Sequence, residues 1–270
     1  GRVVAAQFAD GEANAVAVPV ADMRTRPSSE AGLGTQLLLG DRVRVFETDQ
    51  GWAWCQAERD GYVGYVPETA LVASQNLAPA THRVAVPRTF AYTGPDLKRP
   101  VAASLSLGAS VVVEGGETNG TLDYVRLADG TWCVARHLHP IGETRDDFVA
   151  VAEGLVATPY LWGGTSAFGI DCSGIVQLAM MMAGIRAPRD SDMQEAGLGR
   201  PLAPDDPLRR GDLVFWKGHV GIMRDGETML HANAHTMDVT SEPLARAVER
   251  IARLYGQPTS RRRPDQLARQ

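Results

Sequence analysis

The chain has 270 residues, 44% of them hydrophobic and 22% charged, with a formal net charge of −5. That balance excludes extensive disorder and disfavours a general nucleic-acid binder, which usually carries a basic excess. No apolar run approaches the ~18 residues of a membrane span, and 28 Gly with 16 Pro point to many turns between short strands.

An internal repeat opens the chain. VAVP at Val16 to Pro19 returns at Val84 to Pro87, and LLLG at Leu37 to Gly40 returns as LSLG at Leu105 to Gly108, both 68 positions on. Asp60-Gly61 is answered 69 positions later by Asp129-Gly130. Two copies of one small domain are expected, over residues 1–75 and 80–141. In the first copy, Val43, Val45 and Phe46 stand among polar residues. Trp52, Trp54 and Gln56 then alternate, and an Asp-Gly turn precedes Tyr62, Val63, Tyr65 and Val66. Aromatic and β-branched residues between regular turns predict short antiparallel strands closing as a small barrel. The cadence Arg26-Pro27, LLLG, GW, DGYVGYV resembles the bacterial SH3-like (SH3b) domain. The second copy carries Thr131 where the first has Tyr62, and Asp123 where it has Trp54. That loss of aromatic surface suggests a change from binding to scaffolding. Gln75 to Thr81 and His139 to Arg145 are the expected links.

After residue 145 the pattern changes. Phe148, Val149, Val151, Ala152, Leu155 and Val156 recur at helical spacing until Pro159 stops the helix. Gly174 to Ala183 predicts a second helix, within the apolar run Gly174 to Ile185 that is expected to be amphipathic, and Asp212–Trp216, His219–Met223 and Thr228–Ala232 read as successive strands. Residues 145–257 are therefore an expected α+β domain. Residues 258–270, with Arg261, Arg262 and Arg263, are expected to be a solvated, frayed terminus rather than a nucleic-acid contact.

The three cysteines, Cys55, Cys133 and Cys172, cannot all pair within one chain, and none has zinc-knuckle spacing. A reducing compartment is the simpler reading, with one disulfide and one free thiol as the alternative. Cys55 and Cys133 lie in strand patterns and read as core fillers. Cys172 differs, because Asp171-Cys172-Ser173-Gly174 opens an apolar helix. Ser173 suits an N-cap, and the positive end of the helix is expected to lower the thiol pKa from its ordinary ~8.5. A thiolate needs a base, and the base needs an orienter. His219 at a strand start and His231 on the following strand can meet across an antiparallel pair. A zinc pair of His231 and His235 would need a helical face and a third ligand, and a strand supplies neither.

Tyr160 to Gly164 (YLWGG), Gly169 to Gly174 (GIDCSG), Pro188 to Gln194 (PRDSDMQ), GDLVFW and GHVGIM together resemble the NlpC/P60 family of papain-like cell-wall peptidases, over residues 148–245. The fold class this implies is multidomain: two SH3-like barrels followed by an α+β papain-like catalytic domain. The resemblance makes Cys172 the nucleophile, His219 the base and His231 its orienter. It implies hydrolysis of peptidoglycan stem peptides between γ-D-glutamate and a diamino acid, meso-diaminopimelate or lysine. No metal or organic cofactor is required.

The domain plan resembles a subgroup that trims stem peptides with a free N-terminal L-alanine, which implies murein peptide recycling. By that resemblance Tyr62 and Asp171 hold the amine, Arg189, Asp190 and Ser191 form a pocket trio, and Ser173 and Tyr160 take further pocket positions. Tyr160 assists the oxyanion and Trp162 walls the cleft. The subgroup has a second acidic amine ligand just before the TQLLLG strand. Gly34 fills that slot here, with Glu30 nearby. The expected partner is a peptidoglycan-derived peptide, with no nucleic acid and no membrane span; protein partners are not specified. The expected compartment is the cytoplasm, or the periplasm or exterior if an export signal once preceded Gly1. The rival readings are a secreted lysin acting on intact wall, a papain-like amidase or acyltransferase, and a non-catalytic wall-binding protein.

Overall fold

The structure is a computed structural model that describes residues 10–264. Residues 12–73 form a seven-stranded antiparallel sheet that curls around one core. In Trp52–Ala57 the side chains of Ala53, Cys55 and Ala57 point inward. Trp54 stays on the other, half-exposed face and lies against Tyr65 of Val63–Pro67, the rings tilted by 50° with centroids 4.9 Å apart. The barrel closes tightly at Gly64, where a Cβ would meet Met23 Cγ at 2.6 Å.

Residues 82–140 form a second β unit, split into a five-stranded and a three-stranded sheet. The register Val20↔Leu38 between strands Val20–Arg24 and Leu33–Leu38 recurs 68 residues later as Arg88↔Ser106. Cys55 and Cys133 are both fully buried, one in each unit, and all three cysteines are free.

Among the described residues, the third region has four helices: α1 (Phe148–Glu153), α2 (Cys172–Met182), α3 (Ser191–Gly197) and α4 (Leu244–Tyr255). Asp147 caps α1 by accepting from the Val149 N–H at 2.9 Å. The helix stops at Glu153, short of the expected end, and Ala157 beyond it takes a φ of 65°. A six-stranded antiparallel sheet runs in the order Arg200–Pro201, Ser260–Arg263, Leu213–Trp216, His219–Met223, Thr228–Asn233, Asp238–Pro243.

Two expectations are corrected here. α2 is not amphipathic: of its side chains only Met181 escapes full burial. It packs on the 219–223 and 228–233 strands and on α1. The second β unit covers its far side, where Gly108 abuts Leu178 and Met181. A helix enclosed by protein has no wet face, so its sequence is apolar all round.

The arginine run is not a frayed terminus either. Ser260–Arg263 is a strand between Arg200–Pro201 and Leu213–Trp216. Arg263 donates twice, at 2.7 Å each, to the buried carboxylate of Asp212, and Arg262 donates to the carbonyls of Leu198 and Gly199. The guanidinium heads neutralise a buried acid and cap free carbonyls, which holds the segment in the sheet. Residues 265–270 lie outside the described residues.

The first β unit is tied directly to the helical region. Thr165 Oγ1 donates to the Gln36 carbonyl at 2.8 Å, Arg189 Nε to Thr35 Oγ1 at 2.8 Å, and Gln177 Nε2 to Asp60 Oδ2 at 2.8 Å. The second unit contributes Ser106 Oγ, which accepts from the Ala167 N–H at 2.9 Å.

Candidate active site

Cys172 is the first residue of α2, and the helix cap is Asp171 rather than the expected Ser173. Asp171 Oδ1 accepts from the Gly174 N–H at 2.7 Å. Gly174 lets the helix start press against the preceding loop, since a Cβ there would stand 2.3 Å from the Gly164 carbonyl oxygen. Cys172 is 7% exposed, and its Sγ lies 4.0 Å from the carbonyl oxygen of Gly218, the residue before His219. Burial, with the Asp171 carboxylate adding, pushes the Cys172 pKa up to about 12 against the opposing N–H groups of Val220 and Ser173. The expected lowering by the helix end is therefore overturned. An acid as N-cap answers the positive end of the helix, and a dry thiol resists ionisation.

Gly218, at φ 76°, is the second residue of the tight turn after Trp216, and it delivers His219 to the start of its strand. The His219 ring lies between Trp216 and His231, with centroids 5.8 Å and 5.1 Å away. His219 Nε2 and His231 Nδ1 are 2.8 Å apart. Burial lowers the His219 pKa to about 3, and the neighbouring His231 and Arg250 push the same way against Glu242. Both shifts favour the neutral form, a thiol at Cys172 and an uncharged imidazole at His219. His231 is fully buried, and its Nε2 lies 2.9 Å from Glu242 Oε1; Glu242 also pairs with Arg250 of α4. The sequence reading missed Glu242 and Arg250. An acid two residues along the neighbouring strand from the position opposite His231 was the available signal.

The expected substrate-facing residues fall into two groups. Asp171, Ser173 and Arg189 are buried in one network. Arg189 donates to both Asp171 oxygens, at 3.0 and 2.6 Å, and to Ser173 Oγ at 2.9 Å. Gly163 N–H, Gly174 N–H and Ser173 Oγ also donate to Asp171, so an ammonium would meet that carboxylate as a sixth donor. Tyr62, Tyr160, Asp190 and Ser191 are only half-buried, and Trp162 is 72% exposed.

Tyr62 reaches this network from the first β unit. Burial raises its pKa, and of the charges acting on it Asp190 is the largest, ahead of Arg189, Asp171 and Asp60. A Cβ on Gly34 would stand 3.4 Å from Tyr62 Oη, so the slot lacking an acid does abut this hydroxyl. Glu30 is exposed in the preceding turn and is not among those charges. Burial also raises the Asp190 pKa, and this residue heads α3 without capping it. Tyr160 is pushed up as well, by burial and then by Cys172 and Asp171 beside it.

Residues 157–252 match the NlpC/P60 family. The C-terminal domain belongs to that family. It makes the chain an NlpC/P60 cysteine peptidase, and residues 23–71 match the bacterial dipeptidyl-peptidase Sh3 domain, so the first β unit is an SH3-like domain. The chain is similar to a gamma-D-glutamyl-L-lysine dipeptidyl-peptidase of Bacillus cereus, 29% identical over 240 residues, covering 78% of this chain and 71% of the relative. A protein of the same name from Bacillus subtilis is 29% identical over 223 residues, covering 73% and 71%. Among solved structures, an NlpC/P60 family protein from Bacillus cereus superposes with a TM-score of 0.78 at 23% identity, over 93% of this chain and 99% of that one, a likeness of fold.

Proposed function

We propose that the protein hydrolyses the bond between γ-D-glutamate and a diamino acid, lysine or meso-diaminopimelate, in peptidoglycan stem peptides with a free N-terminal L-alanine. The γ-D-glutamyl specificity in the names of two relatives supports the bond. The observation that supports the rest is the tie between the SH3-like domain and the Cys172 helix, where the Asp60 carboxylate accepts from both the Tyr62 N–H and Gln177 Nε2, with Asp190 the strongest charge acting on the Tyr62 hydroxyl. The Tyr62 hydroxyl and the half-buried Asp190 carboxylate would together accept from an ammonium at the peptide's N-terminus. Asp171, Ser173 and Arg189 form the floor beneath it, and Ser191, Tyr160 and Trp162 flank the bound chain. The second β unit, with its repeated register, is a second SH3-like copy that serves as scaffold. The domains then run 1–75, 80–141 and from 145 through the 260–263 strand. A free-amine requirement suits peptide recycling in the cytoplasm.

The mechanism follows from the neutral resting pair. Sγ of Cys172 attacks the γ-glutamyl carbonyl carbon while its proton passes to His219. The Cys172 N–H, at the start of α2, donates to the oxyanion, an effect of roughly 2.7–4 kcal/mol for a comparable donor. The C–N bond breaks as the imidazolium protonates the leaving amine. His219 then takes a proton from water as the water attacks the thioester carbon; the C–S bond breaks, the γ-carboxyl product is freed and the imidazolium returns its proton to Sγ.

The test compares free L-Ala-γ-D-Glu-L-Lys, or its diaminopimelate form, with the same stem still attached to N-acetylmuramic acid. The expected result is cleavage of the free peptides alone, and none by Cys172→Ala, which still binds them. Equal cleavage of the attached stem would favour a lysin of intact wall, and turnover by Cys172→Ala would remove the nucleophile assignment.

A further inference from the structure

We infer that Glu242 is a positioning residue that fixes, through His231, which nitrogen of His219 is free to accept a proton from Cys172. The inference deepens the proposed peptidase reading and rests on it. The chain of contacts is short: Glu242 Oε1 to His231 Nε2 at 2.9 Å, then His231 Nδ1 to His219 Nε2 at 2.8 Å. An ionised carboxylate can only accept, so His231 donates from Nε2. In a neutral imidazole the other nitrogen must then be the acceptor. His231 Nδ1 therefore accepts from His219 Nε2–H, and the lone pair of His219 falls on Nδ1, the nitrogen left for the thiol. Without an acceptor at Glu242, either tautomer of His231 is available, and the wrong one puts a proton on the nitrogen that must act as the base.

Arg250 gives the relay its second half. The His231 hydrogen bond first, and then the paired guanidinium, hold the Glu242 carboxyl below its ordinary range and so ionised, against its partial burial. The charged and titratable groups around the two rings come from separate elements: Cys172 from α2, Glu242 from the Asp238–Pro243 strand and Arg250 from α4. Glu242 and Arg250 act on His219 in opposite senses, one favouring its protonation and the other opposing it.

The deciding measurement is nitrogen-15 NMR of the full chain with labelled histidines near pH 7.5, in which ring couplings report the protonated nitrogen. Wild-type His219 and His231 are both expected to carry their proton on Nε2. A doubly protonated His231, or a His219 protonated on Nδ1, would overturn the inference, and this arm needs no variant to fold.

Two variants extend it. Glu242→Leu should mix the tautomers of His219 and lower kcat by about 10- to 100-fold with little change in KM. Arg250→Met should leave the tautomers alone and move the acid limb of kcat/KM to higher pH, while Glu242→Leu moves it lower. Shifts in the same direction, or a Glu242→Leu protein with wild-type tautomers, would sink the relay. If the wild type shows the expected tautomers and cuts neither stem peptide, the substrate reading fails and the relay stands.

Discussion

Gln177, on the helix that begins with Cys172, donates a 2.8 Å hydrogen bond to Asp60 of the SH3-like domain. Asp60 also accepts from the Tyr62 N–H at 2.9 Å, so one carboxylate holds both the helix headed by Cys172 and the strand entry that presents Tyr62.

Replacing that acceptor should therefore be felt at both ends. Asp60→Ala leaves Gln177 and the Tyr62 N–H short of a partner in a nearly dry site, a loss of about 1–3 kcal/mol. KM for the free stem peptide should rise more than kcat falls, because Tyr62 loses its anchor while Cys172 does not. Denaturant titration and steady-state kinetics check the two halves separately.

The Asp171–Arg189 pair makes a sharper case. Both side chains are almost wholly buried, and Arg189 also ties Thr35 to the network. Arg189→Met strands a buried carboxylate at the entrance of α2 and should cost about 3–5 kcal/mol. Arg189→Lys should rescue little of it, since an ammonium cannot make the forked contact with both oxygens. Urea unfolding of the three proteins would test this ranking.

Acid stability should carry the signature of His219. Its folded pKa, about 3, lies below its ordinary value of 6.5. The unfolded chain then binds the extra proton first, so stability is full above pH 6.5 and falls as the pH drops toward 3. The slope is at most about 1.4 kcal/mol per pH unit for one proton. Glu153, held to about 2 by Arg210 and Arg224, loses its contribution only below its ordinary 4.5. Between pH 6.5 and 4.5 the loss thus belongs to His219, with a smaller share of the same sign from His137, which burial also lowers. His219→Gln should flatten the melting temperature across that window; an unchanged slope would contradict the buried neutral ring.

The C-terminal strand supplies a fourth expectation. Arg263→Met removes the two guanidinium bonds to Asp212, which keeps only the Arg209 N–H as a described donor to its side chain. A loss of about 1–3 kcal/mol is expected, and ending the chain at residue 259 should lower the yield of soluble protein. Thermal denaturation and expression trials would register both.

Cys172, His219 and His231 could be singled out in the sequence as a candidate set because their cues are local. An acid-cysteine pair opening an apolar helix, and histidines on successive strands, can be read in short windows. Glu242 was not legible, because it meets His231 through strand register: Thr240 lies opposite His231 and Glu242 is its diagonal neighbour. Asp171 was visible as an acid but not as a saturated one, since its donors come from Gly163 and Arg189 as well as from α2. The thiol's ionisation was misjudged for the same reason: the helix end can be read from sequence, and the dry enclosure cannot. The arginine run looked solvated because nothing nearby in sequence announces that Asp212 will be buried beside it.

The apolar cluster around α2 includes Leu38 from the first β unit, Leu105 and Cys133 from the second, and Ile175 and Phe215 from the peptidase domain. Although the first β unit also keeps a core of its own, units joined through this cluster should not melt independently. Calorimetry should record a single endotherm whose van't Hoff and measured enthalpies agree, rather than three steps.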